Sequence, residues 1–356
     1  MNIESHLLKI LDAAFDGQPL SKPDCLFLLE FSPESFEAGL ICAAGDFVTR
    51  KRFRNEASLM AQIGVSGTRC AAGCRFCSFG VRTAALTDFV LSADEVDEIV
   101  EEVAGAGNVH TLFIMTTYNY EWDALLELLQ HVRGRLPASS RLGVTIGDFD
   151  SHRAQELRAV GVESAYHACR LREGQDTSIP PDRRLTTIEA IKEEGLHWHF
   201  SCEPIGPEHT NAEIVDTAWI GLERGCYLHG AIRRVPVSGS SLEAKGQITE
   251  RRLAQIIAVI ALSSVANSEI KAIAVQAPSL LGLCAGANSI VAEKGTNARF
   301  LKDAPGYGLA LSNAECVQML WEAGFSDLRM EDQQHHMSLN ADRLANGNAS
   351  SLRCGS

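Results

Sequence analysis

The sequence predicts an α/β chain closed into a (β/α)8 barrel of the TIM type, complete or nearly so, behind a helical N-terminal extension. Two observations predict it. Between about residues 56 and 325, strand-like runs alternate with amphipathic helices, and alternating β and α units imply a parallel sheet. About eight such strands fall within roughly 250 residues, which suits a closed barrel better than an open sheet. With 46% apolar residues in 356, the chain can bury a sizeable core.

Residues 1–55 read as helical, beginning with the amphipathic "MNIESHLLKILDAAFDG". The run "ASLMAQIGV" reads as the first strand. In "LSADEVDEIVEEVAGAG", Ser92 and Glu95 can form a capping box, and Val96, Ile99, Val100 and Val103 make one apolar face. "VHTLFIMTT" follows as a buried strand and "EWDALLELLQHVRGRL" as a helix. Further strands are "RLGVTIG", "ESAYHACRL", "HWHFSCEPIG", "CYLHGAIRRV", "IKAIAV" and "ANSIVAE". Thr210 with Glu213, and Ser312 with Glu315, mark helix starts, and Gly195 and Gly225 mark C-caps. Residues 56–325 thus hold the barrel and its closing helix, and residues 326–356 form a polar, partly disordered tail.

A formal charge of −13 gives no basic footprint, so neither nucleic acid nor an anionic membrane is an expected partner. The most apolar run, "LAQIIAVIALSSVA", is too short to span a bilayer and reads as a core helix. No basic n-region opens the chain, so a cytoplasmic location is expected. Eleven cysteines, scattered and odd in number, do not resemble a disulfide framework. Most read as small buried hydrophobes, including Cys226 at a strand start and Cys284 at the end of a short helix.

Three cysteines need another account. In "GVSGTRCAAGCRFCSFG", Cys70, Cys74 and Cys77 sit on the loop after the first strand, the face where barrel enzymes keep their chemistry. Thiolates select zinc or iron–sulfur clusters. Structural zinc takes four protein ligands, and no nearby Cys or His completes the set, since the next histidine is His110. A metal-binding protein without catalysis remains open if a distant residue closes the site. Three ligands on a four-iron cluster would leave one iron open to chemistry.

"CAAGCRFC" resembles the Cys-x3-Cys-x2-Cys signature of radical S-adenosylmethionine (SAM) enzymes, with the aromatic Phe76 before the last Cys. "RFRNEASLMAQIGVSGTRCAAGCRFCSFG" and "GLCAGANSI" resemble the biotin-synthase-like group of that superfamily. This group includes biotin synthase, the [FeFe]-hydrogenase maturase, methylornithine synthase and the radical enzyme of the [Fe]-hydrogenase guanylylpyridinol cofactor. "YHACRLREG", "EPIGPEH" and "AIRRVPVSG" are most similar to the last, whose cysteine spacing is longer. The resemblance implies that Cys70, Cys74 and Cys77 hold a [4Fe–4S] cluster and that SAM chelates its open iron. Reductive cleavage of SAM to a 5′-deoxyadenosyl radical, then hydrogen abstraction from a small molecule, follows from the same resemblance. So does a reducing partner such as flavodoxin or ferredoxin.

By this resemblance Arg170, Arg172 and Glu173 are candidates to contact SAM, Arg170 and Arg172 sharing one face of the fourth strand. Thr116 and Thr117 close the second strand, where the superfamily's Gly-Gly-Glu turn is absent, and Ile205 in "EPIGPEHT" stands where the family borders the adenine. Asp148 faces substrate or N-caps the next helix. Glu203, Arg233 and Arg234 end strands five and six, and the arginine pair suggests a carboxylated or phosphorylated substrate. His197 and His199 share a strand face but show no third ligand. Cys169 and Cys202 read as small barrel-lining side chains; a second cluster held by them, as in sulfur insertion of the biotin or lipoyl type, is the alternative. Cofactor biosynthesis or carbon-skeleton rearrangement is the expected setting.

Overall fold

The computed structural model describes residues 4–80, 88–276, 278–295, 311–330 and 336–339. Three helices come first: α1 (Ser5–Phe15), α2 (Lys22–Glu30) and α3 (Phe36–Arg52). Then follow β1 (Glu56–Gly64), the short pair β2 (Ser66–Gly67) and β3 (Phe89–Val90), α4 (Ala93–Ala104), β4 (Thr111–Met115), α5 (Trp122–Arg135), β5 (Arg141–Thr145) and α6 (Ser151–Ala159). The chain continues through β6 (Ser164–Tyr166), α7 (Pro181–Glu193), β7 (His197–His199), β8 (Cys202–Ile205), α8 (Asn211–Arg224), β9 (Leu228–Arg233) and α9 (Glu250–Ser263). Last come β10 (Ala272–Gln276), α10 (Leu280–Leu283), β11 (Ser289–Gly295), α11 (Asn313–Glu322), β12 (Asp327–Arg329) and β13 (His336–Ser338).

Parallel pairing runs β1-β4-β5-β6-β7-β9-β10-β11, with β8 continuing the line of β7 against β9. β11 pairs β1 from Ser58↔Ser289 to Gly64↔Gly295. The barrel is therefore closed and complete, with eight parallel strands when β7 and β8 count as one. Residues alternate between two separate cores, as a strand's period of two requires. Leu59, Ala61 and Ile63 face the helices, with Leu112, Ile114, Ile273 and Val275. Met60, Phe113, Leu228, Ala272, Ala274 and Val291 fill the lumen.

Two strand readings need correction. The fourth strand ends at Tyr166, where pairing with β7 stops at Tyr166↔His199, so Cys169, Arg170 and Arg172 lie on the following turn and not on a shared strand face. The fifth strand is interrupted at Phe200–Ser201, splitting "HWHFSCEPIG" into β7 and β8. The capping boxes at Ser92–Glu95, Thr210–Glu213 and Ser312–Glu315 are all formed, and Gly225 is a left-handed C-cap at φ 65°.

The N-terminal helices are bound to the barrel's outer layer. α9 is buried from Leu253 to Ser263. α3 crosses it where Gly45 removes a side chain against Ala258. Buried Gln255 donates to the carbonyls of Leu28 and Phe31 at 2.9 and 3.0 Å, and Thr49 donates to Gly286 at 2.8 Å. Within the tail, β12 pairs β1 and β13 pairs β12; residues 331–335 and 340–356 lie outside the described residues. Among the described residues no helix is long and apolar enough to cross a membrane.

Candidate active site

The cysteine loop leaves β1 at the C-terminal mouth of the barrel. It is held by backbone bonds: Cys70 N–H donates to Phe79 O at 2.9 Å, Ser178 N–H to Ala72 O at 2.8 Å, and Arg75 N–H to Asp176 O at 2.8 Å. Gly73 takes φ +57°, and a Cβ there would stand 2.7 Å from the Ser178 hydroxyl. None of the three thiols is in a disulfide. Cys70 Sγ accepts the Tyr118 N–H and Cys77 Sγ the Phe79 N–H, each at 3.4 Å. Burial pushes the Cys74 thiol up to about 12, opposed by the nearby Arg170.

As they stand, no three His, Cys, Asp or Glu side chains among the described residues surround a single-ion site. The donor set fits a cluster: three thiols on one loop, two receiving backbone N–H groups, and a half-buried guanidinium beside the third.

Arg170 reaches Glu203 through Nε at 3.2 Å. Burial alone would lower its pKa; Glu203, with Cys74 and Glu173, raises it instead, so the group stays charged. Glu173 is buried and accepts the Arg170 N–H at 2.9 Å. Arg172 turns elsewhere: it pairs with Glu213, Nε to Oε1 at 2.6 Å, and reaches the Glu208 carbonyl. The two arginines thus serve different partners. Thr116 and Thr117 spend their hydroxyls within the loop, Thr116 on Thr117 O and Thr117 on Asn119 O, while Thr117 meets Thr68 at 3.1 Å.

Asp148 is buried. His167 Nε2 lies 2.9 Å from it, Tyr118 donates its hydroxyl at 3.0 Å and Arg184 an N–H at 3.1 Å. Burial would raise this carboxyl, but the His167 hydrogen bond and the Arg184 charge hold it well below the usual carboxylate range. The N-cap of α6 is Asp150, not Asp148.

A cavity of about 230 Å³ occupies the barrel mouth beside Cys77. Phe76, Tyr166, Arg170, Glu203, Arg233 and Arg234 line it. The arginines are already matched: Arg233 pairs with Glu250 at 2.9 Å, and Arg234 holds Glu208 through both terminal nitrogens. The guanidinium pair that suggested a carboxylated substrate is therefore not an open clamp. Ile205 packs in the outer core and does not line the cavity; its carbonyl accepts the Arg234 backbone N–H at 2.8 Å.

Cys202 does not line the lumen: it is fully buried in the outer core, its thiol 3.6 Å from the Ile214 carbonyl of α8. Burial pushes the Cys169 thiol up to about 11. Cys226 is buried as expected, whereas Cys284 is exposed at the end of α10. Sequence reasoning missed Arg184, His167 and Tyr118. It also passed over Gln62, although a polar residue at an inward position of "ASLMAQIGV" was a readable signal.

No family model matches the chain. A curated relative, biotin synthase from Persephonella marina, is 23% identical over 273 residues, covering 73% of this chain and 79% of the relative. Among solved structures, methylornithine synthase superposes with a TM-score of 0.75 at 18% identity, covering 89% of this chain and 96% of that one. The FeFe-hydrogenase maturase HydG from Carboxydothermus hydrogenoformans gives 0.74 at 15% identity, covering 90% and 78%. The solved structures establish the fold. With the cysteine motif, the sequence relative points the same way: this chain is similar to radical SAM enzymes of the biotin-synthase-like group.

Proposed function

We propose that Cys70, Cys74 and Cys77 hold a [4Fe–4S] cluster at the barrel mouth, and that the adjoining cavity receives a small molecule for hydrogen abstraction. When bound, that cluster supplies the electron that cleaves SAM, chelated at its open iron, to methionine and a 5′-deoxyadenosyl radical. The reaction belongs to cofactor biosynthesis or the rearrangement of a small molecule's carbon skeleton, and the electron comes from a small redox protein such as flavodoxin or ferredoxin.

The observation that carries the reading is the shared wall: Phe76 and Cys77 of the cysteine loop form one side of the lumen cavity. Substrate and reacting carbon would thus meet inside the barrel, where strands and helices exclude water and oxygen. Arg170 offsets negative charge beside Cys74, Glu203 and Glu173 keep that guanidinium in place, and the Tyr118 and Phe79 N–H groups brace two sulfurs. Burial of Cys202 against α8 gives no support to a second, sulfur-donating cluster.

Protein reconstituted without oxygen and reduced with dithionite tests the reading. A single [4Fe–4S]+ paramagnetic resonance signal that changes on adding SAM is expected, with deoxyadenosine detected by mass spectrometry and abolished in Cys74→Ala. A signal indifferent to SAM, with no deoxyadenosine, would sink it and leave a metal-binding protein.

A further inference from the structure

The mouth cavity continues inward. Gln62, Thr145, Tyr166 and Gln276 line both the mouth and an enclosed space of about 20 Å³ beneath it, where His199 and Ser201 are also found. That volume holds one water-sized polar group.

His199 is 1% exposed and its Nε2 has no hydrogen-bond partner. A buried polar atom left unpaired costs about 1–3 kcal/mol, so its retention here asks for a ligand. The ring is held in place: it stacks on Tyr227 with centroids 5.5 Å apart and meets Phe113 edge-on at 5.1 Å. Burial, with His197 and Arg141 nearby, puts its pKa well below the ordinary value, so the imidazole is neutral. The Tyr166 hydroxyl is buried too, beside Ser201 and Glu203, though no hydrogen bond to either has normal geometry.

Charge completes the pattern. Around the inner space the Gln62 and Gln276 carboxamides and the Thr145, Tyr166 and Ser201 hydroxyls stand among apolar side chains, Met60, Phe113, Leu228 and Val291. The mouth's cations are matched one for one, Arg170 by Glu203, Arg233 by Glu250 and Arg234 by Glu208. Arg141, the next cation below, lies over the Tyr227 ring at 5.0 Å and does not line the space. A carboxylate would lose its hydration here, and no guanidinium lines the inner space to pair with it directly.

We propose that the inner end of the mouth cavity is a specificity pocket for an uncharged, hydrogen-bonding end of the substrate, an amide or a hydroxyl, whose terminal donor atom enters the inner space and is received by His199 Nε2 and the Tyr166 hydroxyl. The assignment rests on the barrel mouth being the reaction site. It makes His199 and Tyr166 selectors of substrate that take no part in SAM cleavage.

Ligand-observed NMR on the full chain tests the pocket with an isosteric probe pair, propionamide and propionate. Propionamide should bind wild-type protein more tightly than propionate, and His199→Phe should weaken it about tenfold, the loss of one buried hydrogen bond. If His199→Phe does not fold, judged by circular dichroism, Tyr166→Phe carries the same readout. Propionate binding as well as propionamide, or an amide signal indifferent to the substituted side chain, would overturn the proposal. Deoxyadenosine formation by wild-type protein needs neither probe and scores the radical reading separately. A missing amide signal with deoxyadenosine intact fails the pocket alone; missing deoxyadenosine with the amide signal intact fails the radical reading alone.

Discussion

Arg184 shows how a single buried charge supports this site. Its side chain is 4% exposed and bridges two carboxylates, Asp148 at 3.1 Å and Glu173 at 3.3 Å. Glu173 in turn accepts the Arg170 N–H beside the cysteine loop. Replacing Arg184 by Met leaves two buried carboxylates without their shared cation, a loss of about 3–5 kcal/mol. Arg183→Met, at a neighbour whose side chain is 61% exposed, should stay within about 0.5 kcal/mol. Denaturant midpoints of the two variants check this, and equal effects would show that the bridge is not structural. The pH sign follows from Asp148, whose carboxyl is held below its ordinary value. Stability from it is complete above the unfolded carboxylate pKa of about 4 and is lost as pH falls through the folded value. The acid-unfolding midpoint should therefore move to higher pH in Arg184→Met. None of this was legible in "PPDRRLTTIEAIKEEG", because adjacent arginines in a helix read as a solvated face and only the packing of α7 on the turn after β6 separates them. The cysteines were legible because short spacing within one loop brings them together without tertiary information.

At the scale of elements, the helix starts were readable and some strand ends were not, for a physical reason. A capping box is closed by residues three apart, so Ser92–Glu95 formed as expected. A strand ends where its neighbour stops pairing, and nothing within "YHACRL" records that β7 ends at His199. The contact between α3 and α9 has the same character. A Cβ on Gly45 would meet the Ala285 carbonyl at 2.5 Å and Ala258 Cα at 2.8 Å, whereas one on Gly39 of the same helix meets nothing within 4 Å. Gly45→Ala should force the helices apart and cost about 1–3 kcal/mol. Gly39→Ala should instead stabilise by up to about 1 kcal/mol through helix propensity. Opposite shifts in thermal midpoint are the expected result; shifts of the same sign would mean that propensity, not contact, governs α3.

The whole molecule depends on its first three helices in a way that the barrel's own closure does not reveal. In an ordinary (β/α)8 barrel the outer helices turn a polar face to water. Here α9, with Ile256, Ile257, Val259 and Ile260 in turn, is buried on every side, because α3 and α2 cover what would be its outer face. The cover is polar as well as apolar. Arg52 donates to the carbonyls of Ser264 and Ile270, each at 2.6 Å, capping the end of α9 and the loop behind it, and Gln255 is satisfied by α2 and its C-cap residue. A chain beginning at Phe53 keeps all eight barrel strands yet exposes an apolar helix and leaves these partners without one another. An exposed apolar patch of that kind drives association, so the truncated chain should be recovered as aggregate or as an oligomer that binds a hydrophobic dye. Size-exclusion chromatography and a melting curve check it: a soluble monomer melting within about 3 °C of the full chain would make the helices an appendage, since at this size about 1 kcal/mol shifts the midpoint by that much. The expected outcome makes them part of the barrel's fold, holding β9, β10 and α9 in place beneath the cavity in which the proposed chemistry occurs.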